Sequence, residues 1–331
     1  MTNNTRKLII FLLLMVMVAA HADGPDGLSG TLIVLNKGGN NASFIDLASG
    51  EIVATLPTGR GPHELVVSGD GQWAIGTDYN DGNSLTVFDV RNLAVQRTIN
   101  LDHHPSPHGI VLMPEQTEVI VTSEENRTVA LIDFVTGKTR QVISTGQSGS
   151  HMVALSENGS TAFTANGGSN SVSVIDLIQN QFVQTIDVPR RPEAITVNKA
   201  GSQIWVGSND EGVVSVISVA DGAIQAQWSG FDWPYRILLS KDERFALVSD
   251  LRKGQLRIFD ARSKTELGTI DIPATGPQGM TLYPDDRTLF LSLSAQDKIL
   301  VIDITSRQIT GEYQAGSSPD GIAYSSVISK Q

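Results

Sequence analysis

Three of the six histidines in this chain occupy equivalent places in a repeated stretch. His63 lies in Gly61-Pro62-His63-Glu64-Leu65-Val66-Val67-Ser68, His108 in Pro107-His108-Gly109-Ile110-Val111-Leu112, and His151 in Ser150-His151-Met152-Val153-Ala154-Leu155. Later copies put Glu193, Tyr235, Gln278 and Asp320 at the same place. If the seven positions close into a ring, its order begins Asp320, His63, His108, His151, Glu193. Neutral imidazoles flanked by carboxylates are the ligand set of Zn, Fe, Mn or Cu sites. His63, His108, His151, Glu193 and Asp320 are therefore the candidate metal ligands. In an enzyme built on them, Glu193 or Asp320 would act as general base, and Tyr235 or Arg236 would polarise a carbonyl or stabilise an oxyanion. A plainer origin competes with this: a histidine written once, copied by duplication, and bonded to loop carbonyls.

Other residues bear on the same place. His103 and His104 lie in the longest loop leading into the ring. On the opposite arc, Phe231, Asp232, Trp233, Pro234, Tyr235 and Arg236 put three aromatics and a guanidinium in one segment, with Arg190 and Arg191 nearby. That set suits an anionic or ring-bearing ligand, and Trp233 suits packing between units equally well. A second ring is expected where another strand ends: Asn36, Asp78, Ser123, Asn166, Ser208, Asp250 and Leu293. No phosphate loop and no H-E-x-x-H occurs. Gly146-Gln147-Ser148-Gly149-Ser150 misses the nucleophile-elbow pattern at its last residue.

The elements that must position these residues follow from a repeat. Phe44-Ile45-Asp46 recurs six times, ending at Asp89, Asp133, Asp176, Ser218, Asp260 and Asp303, at spacings of 42–44 residues. The Asp closing each copy precedes a turn, where its carboxylate caps backbone N–H groups; this is structural. In the fourth unit, strands around Ala154-Leu155, Thr161–Asn166, Ser171–Asp176 and Gln181–Ile186 alternate with Gly, Asn and Asp turns. Four short strands per unit, seven units, is an all-β, seven-bladed β-propeller. The chain starts with three strands of a unit and ends with one near Gly321–Ser325, which is expected to complete the first blade and close the ring.

The units resemble YVTN-type repeats, in which P-x-G opens an inner strand and a strand ending V-I-D follows; Ile120-Val121-Thr122-Ser123 and Phe163-Thr164-Ala165-Asn166 carry the naming motif. That resemblance implies a secreted or periplasmic propeller, similar in architecture to lactonase-type propellers. It fixes no activity.

Composition bounds the rest. There is no cysteine, which excludes disulfides, thiolate metal sites, attached c-type haem and cysteine nucleophiles. Arg6 and Lys7, an apolar run over residues 8–20 and Ala20-His21-Ala22 read as a cleaved signal peptide, residues 1–22, leaving residues 23–331 as one propeller domain. The run is too short for a membrane anchor. Without Arg6 and Lys7 the chain carries 22 basic and 35 acidic residues, which disfavours nucleic acid as a partner. A monomer is expected, with a small-molecule ligand at the channel mouth and room for a protein partner on the rim. Two functions fit: a non-catalytic binding or scaffold protein, and a metal-dependent enzyme acting by lactone hydrolysis or β-elimination.

Overall fold

The computed structural model describes residues 27–115, 117–273 and 276–329; the signal-peptide expectation lies outside them. Among the described residues there are 28 strands, numbered β1 to β28 in chain order, and they form seven four-stranded antiparallel sheets. Blade I consists of β28 (Pro319–Ser325), β1 (Thr31–Asn36), β2 (Asn41–Asp46) and β3 (Ile52–Pro57), so the last strand does close the first blade. Thr31 pairs with Ser325 and Ile33 with Ala323, leaving no open seam in the ring. Blades II to VII follow in sequence, each starting with its innermost strand.

Among the described residues the buried apolar side chains pack in seven clusters, each between two neighbouring blades. Ile75, Leu85 and Val87 of blade II, for example, meet Ile110, Val119 and Ile132 of blade III. Between blades V and VI, Trp205 stacks on Trp228 with centroids 5.3 Å apart, and Trp228 leans on Phe259 at 4.6 Å. This pattern explains the repeat: each sheet can bury its two faces only against other sheets. The strand-closing Asp residues sit in turns, as Asp46 does in accepting from Ala48 N and Ser49 N at 3.1 and 2.8 Å.

Candidate functional site at the channel mouth

The innermost strands are β4 (Pro62–Val67), β8 (Pro107–Leu112), β12 (Ser150–Leu155), β16 (Pro192–Val197), β20 (Pro234–Leu239), β24 (Pro277–Leu282) and β28. His63, His108, His151, Glu193, Tyr235, Gln278 and Asp320 each stand second in one of them. Proline is tolerated at the first position of a strand, where it costs no ladder bond. Immediately after its first residue, proline in all but β12, each strand carries one extra residue: Pro62 pairs with Asp78 but Leu65 with Gly76, so His63 and Glu64 together face Thr77. Such a bulge breaks the two-residue alternation and re-aims side chains.

Hydroxyls on the second strands lock the bulges to the next blade. Thr77 Oγ1 accepts from Glu64 N at 3.0 Å and donates to His108 O at 3.0 Å. Thr122 Oγ1 accepts from Gly109 N at 2.9 Å and donates to His151 O at 2.6 Å. Ser249 and Ser292 donate to the carbonyls of Gln278 and Asp320 in the same way. Adjacent strands come so close here that a Cβ on Gly279 would lie 2.1 Å from Asp320 O. Gly279→Ala is therefore expected to destabilise the protein by about 1–3 kcal/mol, as overpacking does; an unchanged denaturant midpoint would contradict the close approach.

The three imidazoles converge. Ring centroids of His63 and His108 are 4.4 Å apart, those of His108 and His151 are 3.5 Å apart, and Tyr79 packs edge-on against His108 at 4.7 Å. One ligand atom from each of His63, Glu64 and His108 lies within 4.8 Å of the others. His108 is fully buried, and neither of its ring nitrogens has a hydrogen-bond partner; His63 Nδ1 and Asp320 Oδ1 are likewise unpartnered. Burial holds the His63 imidazole down to about 3 and that of His108 well below its ordinary range. Both are thus neutral at pH 7, the form that ligates metal.

The other expected ligands are held by different partners. His151 Nδ1 bonds Glu124, and Tyr79 Oη donates to the other Glu124 oxygen at 2.6 Å. His151 Nε2 faces Glu193 Oε1 at 3.9 Å, and Glu193 accepts from Asn209. Burial raises the Glu193 carboxyl above the usual range. Asp320 Oδ2 accepts from Tyr235 Oη at 3.0 Å and from Lys37 Nζ at 3.1 Å, with His63 Nε2 at 3.5 Å. Burial opposes its ionisation, but Lys37, His63 and Arg236 outweigh that and hold it low. Arg236 reaches across the channel to pair with Glu64. Phe231 is buried under Arg257, while Trp233 lies on the rim with Arg191 and Arg252 over its ring at 4.5 and 3.9 Å. His103 and His104 stay in their loop, where His103 O accepts from Asn126.

The second ring corrects the sequence reading. Asn36, Asp78, Ser123, Asn166, Ser208, Asp250 and Leu293 are all fully buried. Asp78 accepts from Ser84 and Thr86 in its own blade, Asn166 bonds Ser150 and Ser173, and Asp250 caps the backbone N–H groups of Asp232 and Trp233. In four blades it is the following residue that meets the inner ring: Lys37, Tyr79, Glu124 and Asn209. The strands end at Asn36, Asp78, Ser123 and Ser208, so the residue that follows each of these opens the turn at the channel mouth. Beside the histidines opens a cleft of about 430 Å³ lined by Tyr79, Glu124, His151, Arg190, Arg191 and Glu193.

Several known proteins resemble this chain. A functionally unknown protein from Desulfotomaculum acetoxidans superposes with a TM-score of 0.76 at 16% identity, covering 91% of this chain and all of the other. Hydrazine synthase from Kuenenia stuttgartiensis gives 0.68 at 17% identity, covering 79% of this chain and 88% of that one. At such identities both show the fold alone. Antigen Lp49 of Leptospira interrogans is 21% identical over 322 residues, spanning 90% of this chain and 68% of the antigen. A family model described as the cytochrome D1 heme domain matches residues 32–232.

The family name implies a haem, and the residues at the mouth do not fit one. A macrocycle needs an open slot beside its axial ligand, and apolar walls. Here the His63, His108 and His151 rings, packed 3.5–4.4 Å apart with Tyr79 across them, fill the axis. The adjoining cleft is walled by carboxylates, guanidiniums and glycines. The His63, His108 and His151 rings pack on one another at the channel mouth, and by its sequence match over residues 32–232 the chain belongs to the cytochrome D1 heme domain family.

Proposed function

We infer that the protein is a secreted or periplasmic binding propeller of the YVTN type. It holds a divalent transition metal on His63, Glu64 and His108 and admits a small ligand through the cleft beside them. The observation that carries this reading is the cluster of three ligand atoms within 4.8 Å, one of them from a fully buried histidine with no other partner. Buried polar atoms without partners are rare and call for an ion or water. Imidazole and carboxylate together suit Zn, Mn, Fe or Cu. The leader-like residues 1–22 support export, and no helix among the described residues is long and apolar enough to cross a membrane.

Metal analysis of the purified protein, before and after reconstitution with Zn, Mn, Fe and Cu, tests the reading. Near-stoichiometric metal is expected in the parent and in His151→Ala, and its loss in His63→Ala and Glu64→Gln. A parent that takes up none of the four overturns it.

A second reading, an enzyme, is favoured by one feature. His151 lines the cleft and is held on Nδ1 by Glu124, with Nε2 3.9 Å from Glu193 Oε1, and a carboxylate on one ring nitrogen is how a general base is oriented. Lactone hydrolysis or β-elimination from an acidic substrate would use it. Turnover of lactones or uronates that vanishes in His151→Gln with metal retained is the expected outcome. Unaltered substrates throughout leave the binding role.

A further inference from the structure

Glu64 and Arg236 come from blades II and VI, 172 residues apart, and pair inside the channel. Their positions are held elsewhere in the ring by Gly109, Met152, Ala194, Gly279 and Gly321, so neither charged side chain is needed to build the bulge. The guanidinium lies over the Tyr235 ring at 4.1 Å and donates through Nη1 to Tyr235 O at 2.8 Å. It gives Glu64 only Nη2; Nε is buried without a partner. Nε and Nη2 form one edge of the guanidinium, the edge that takes a carboxylate by two parallel bonds. Half of that edge is unused.

Glu64 is also the carboxylate of the His63 and His108 cluster. A metal and Arg236 therefore compete for one group, while Lys37 keeps Asp320 occupied at 3.1 Å. We propose that a bound metal displaces Arg236 from Glu64, and that the freed Nε and Nη2 edge then binds a small carboxylate anion beside the metal. This rests on the metal reading given above. A divalent ion next to a guanidinium is repulsive until an anion lies between them, so metal and carboxylate bind cooperatively. The adjoining cleft comes nearest through Tyr79 and His151, whose rings pack against His108.

Cobalt(II) as the metal, with acetate as the anion and acetamide as its uncharged analogue, gives a direct test by visible absorption. Acetate, and not acetamide, is expected to shift the cobalt bands of the parent. Arg236→Met is expected to bind cobalt about tenfold more tightly, because the competing cation is gone, and to lose the acetate response. Arg236→Lys keeps the charge without the fork and responds only weakly. Glu64→Gln frees the guanidinium without any metal, so the metal-free variant binds acetate by calorimetry where the metal-free parent does not. Cobalt affinity unchanged in Arg236→Met, or no acetate binding by folded Glu64→Gln, overturns the exchange and leaves the metal reading standing. A parent that binds no cobalt overturns both.

Discussion

Replacing His108 with Leu is expected to abolish metal binding and, in the same variant, to make the metal-free protein more stable. The two effects have one cause. His108 is fully buried, and both of its ring nitrogens lack a partner. A buried polar atom left unpaired costs about 1–3 kcal/mol, whereas an apolar group of similar volume in its place is neutral or stabilising. A residue kept only for packing carries no such penalty; a ligand waiting for its ion does. Metal affinity is expected to fall by on the order of a hundredfold or more, since even outer-shell partners are worth 10–100-fold. The pH dependence follows from the same burial. Metal sites on exposed histidines weaken as pH drops below the ordinary imidazole value, because protons compete. Here burial holds His63 down to about 3 and His108 well below 6.5, so the parent's affinity is expected to stay flat from pH 8 to pH 5. Stability of the metal-free parent moves the other way. A depressed imidazole contributes stability above its unfolded value of 6.5 and loses it as pH falls below that. A His108→Leu protein less stable than the parent, with flat metal uptake, would make His108 an ordinary packing residue.

The architecture was legible because period and alternation are local properties of the chain. Seven strand-closing segments at nearly constant spacing, with Asp46, Asp89 and their equivalents in Asx turns, fix the blade count, and the odd strand near Gly321–Ser325 fixes the closure. Ring membership of His63, His108 and His151 was legible for the same reason. Two things were not. The bulge after Pro62 puts Glu64 in the channel beside His63, and an alternating strand reading assigns consecutive residues to opposite faces. The second ring was read one residue early, so Tyr79 and Glu124 were passed over for Asp78 and Ser123. A signal for Glu64 exists in hindsight: it stands where Gly109, Gly279 and Gly321 stand, three glycines at which a Cβ would collide with the neighbouring strand. Pairing across the channel, Glu64 to Arg236 or Tyr235 to Asp320, follows from ring closure and has no trace in local pattern.

Asp78→Asn is expected to stabilise the protein at pH 8 and to do nothing at pH 4. Asp78 is fully buried, and its Oδ2 accepts from Ser84 Oγ at 2.6 Å and Thr86 Oγ1 at 3.0 Å while Oδ1 has no partner. Burial raises its carboxyl to about 6, against 3.8 when exposed, more than the bonds from Ser84, Thr86 and the Gly59 backbone can offset. An acid raised on folding contributes its stability below the unfolded value and loses it as pH climbs through the folded one. Between pH 4 and pH 6 the parent therefore surrenders up to about 3 kcal/mol at this position, at roughly 1.4 kcal/mol per pKa unit. An amide has no such loss, and the repeat shows that an amide fits. Asn36 fills the same slot in blade I, where its Nδ2 donates to Asn41 at 2.7 Å and Ser43 at 2.9 Å, and its Oδ1 accepts from Gly316 N at 3.0 Å. Ser84, Thr86 and Gly59 are the matching partners in blade II. Thermal midpoints of parent and variant, measured in steps from pH 4 to pH 8, should coincide at the acid end and separate above pH 5, with the variant higher. Curves that run parallel would show that Asp78 keeps its proton, or its charge, at no cost to the blade.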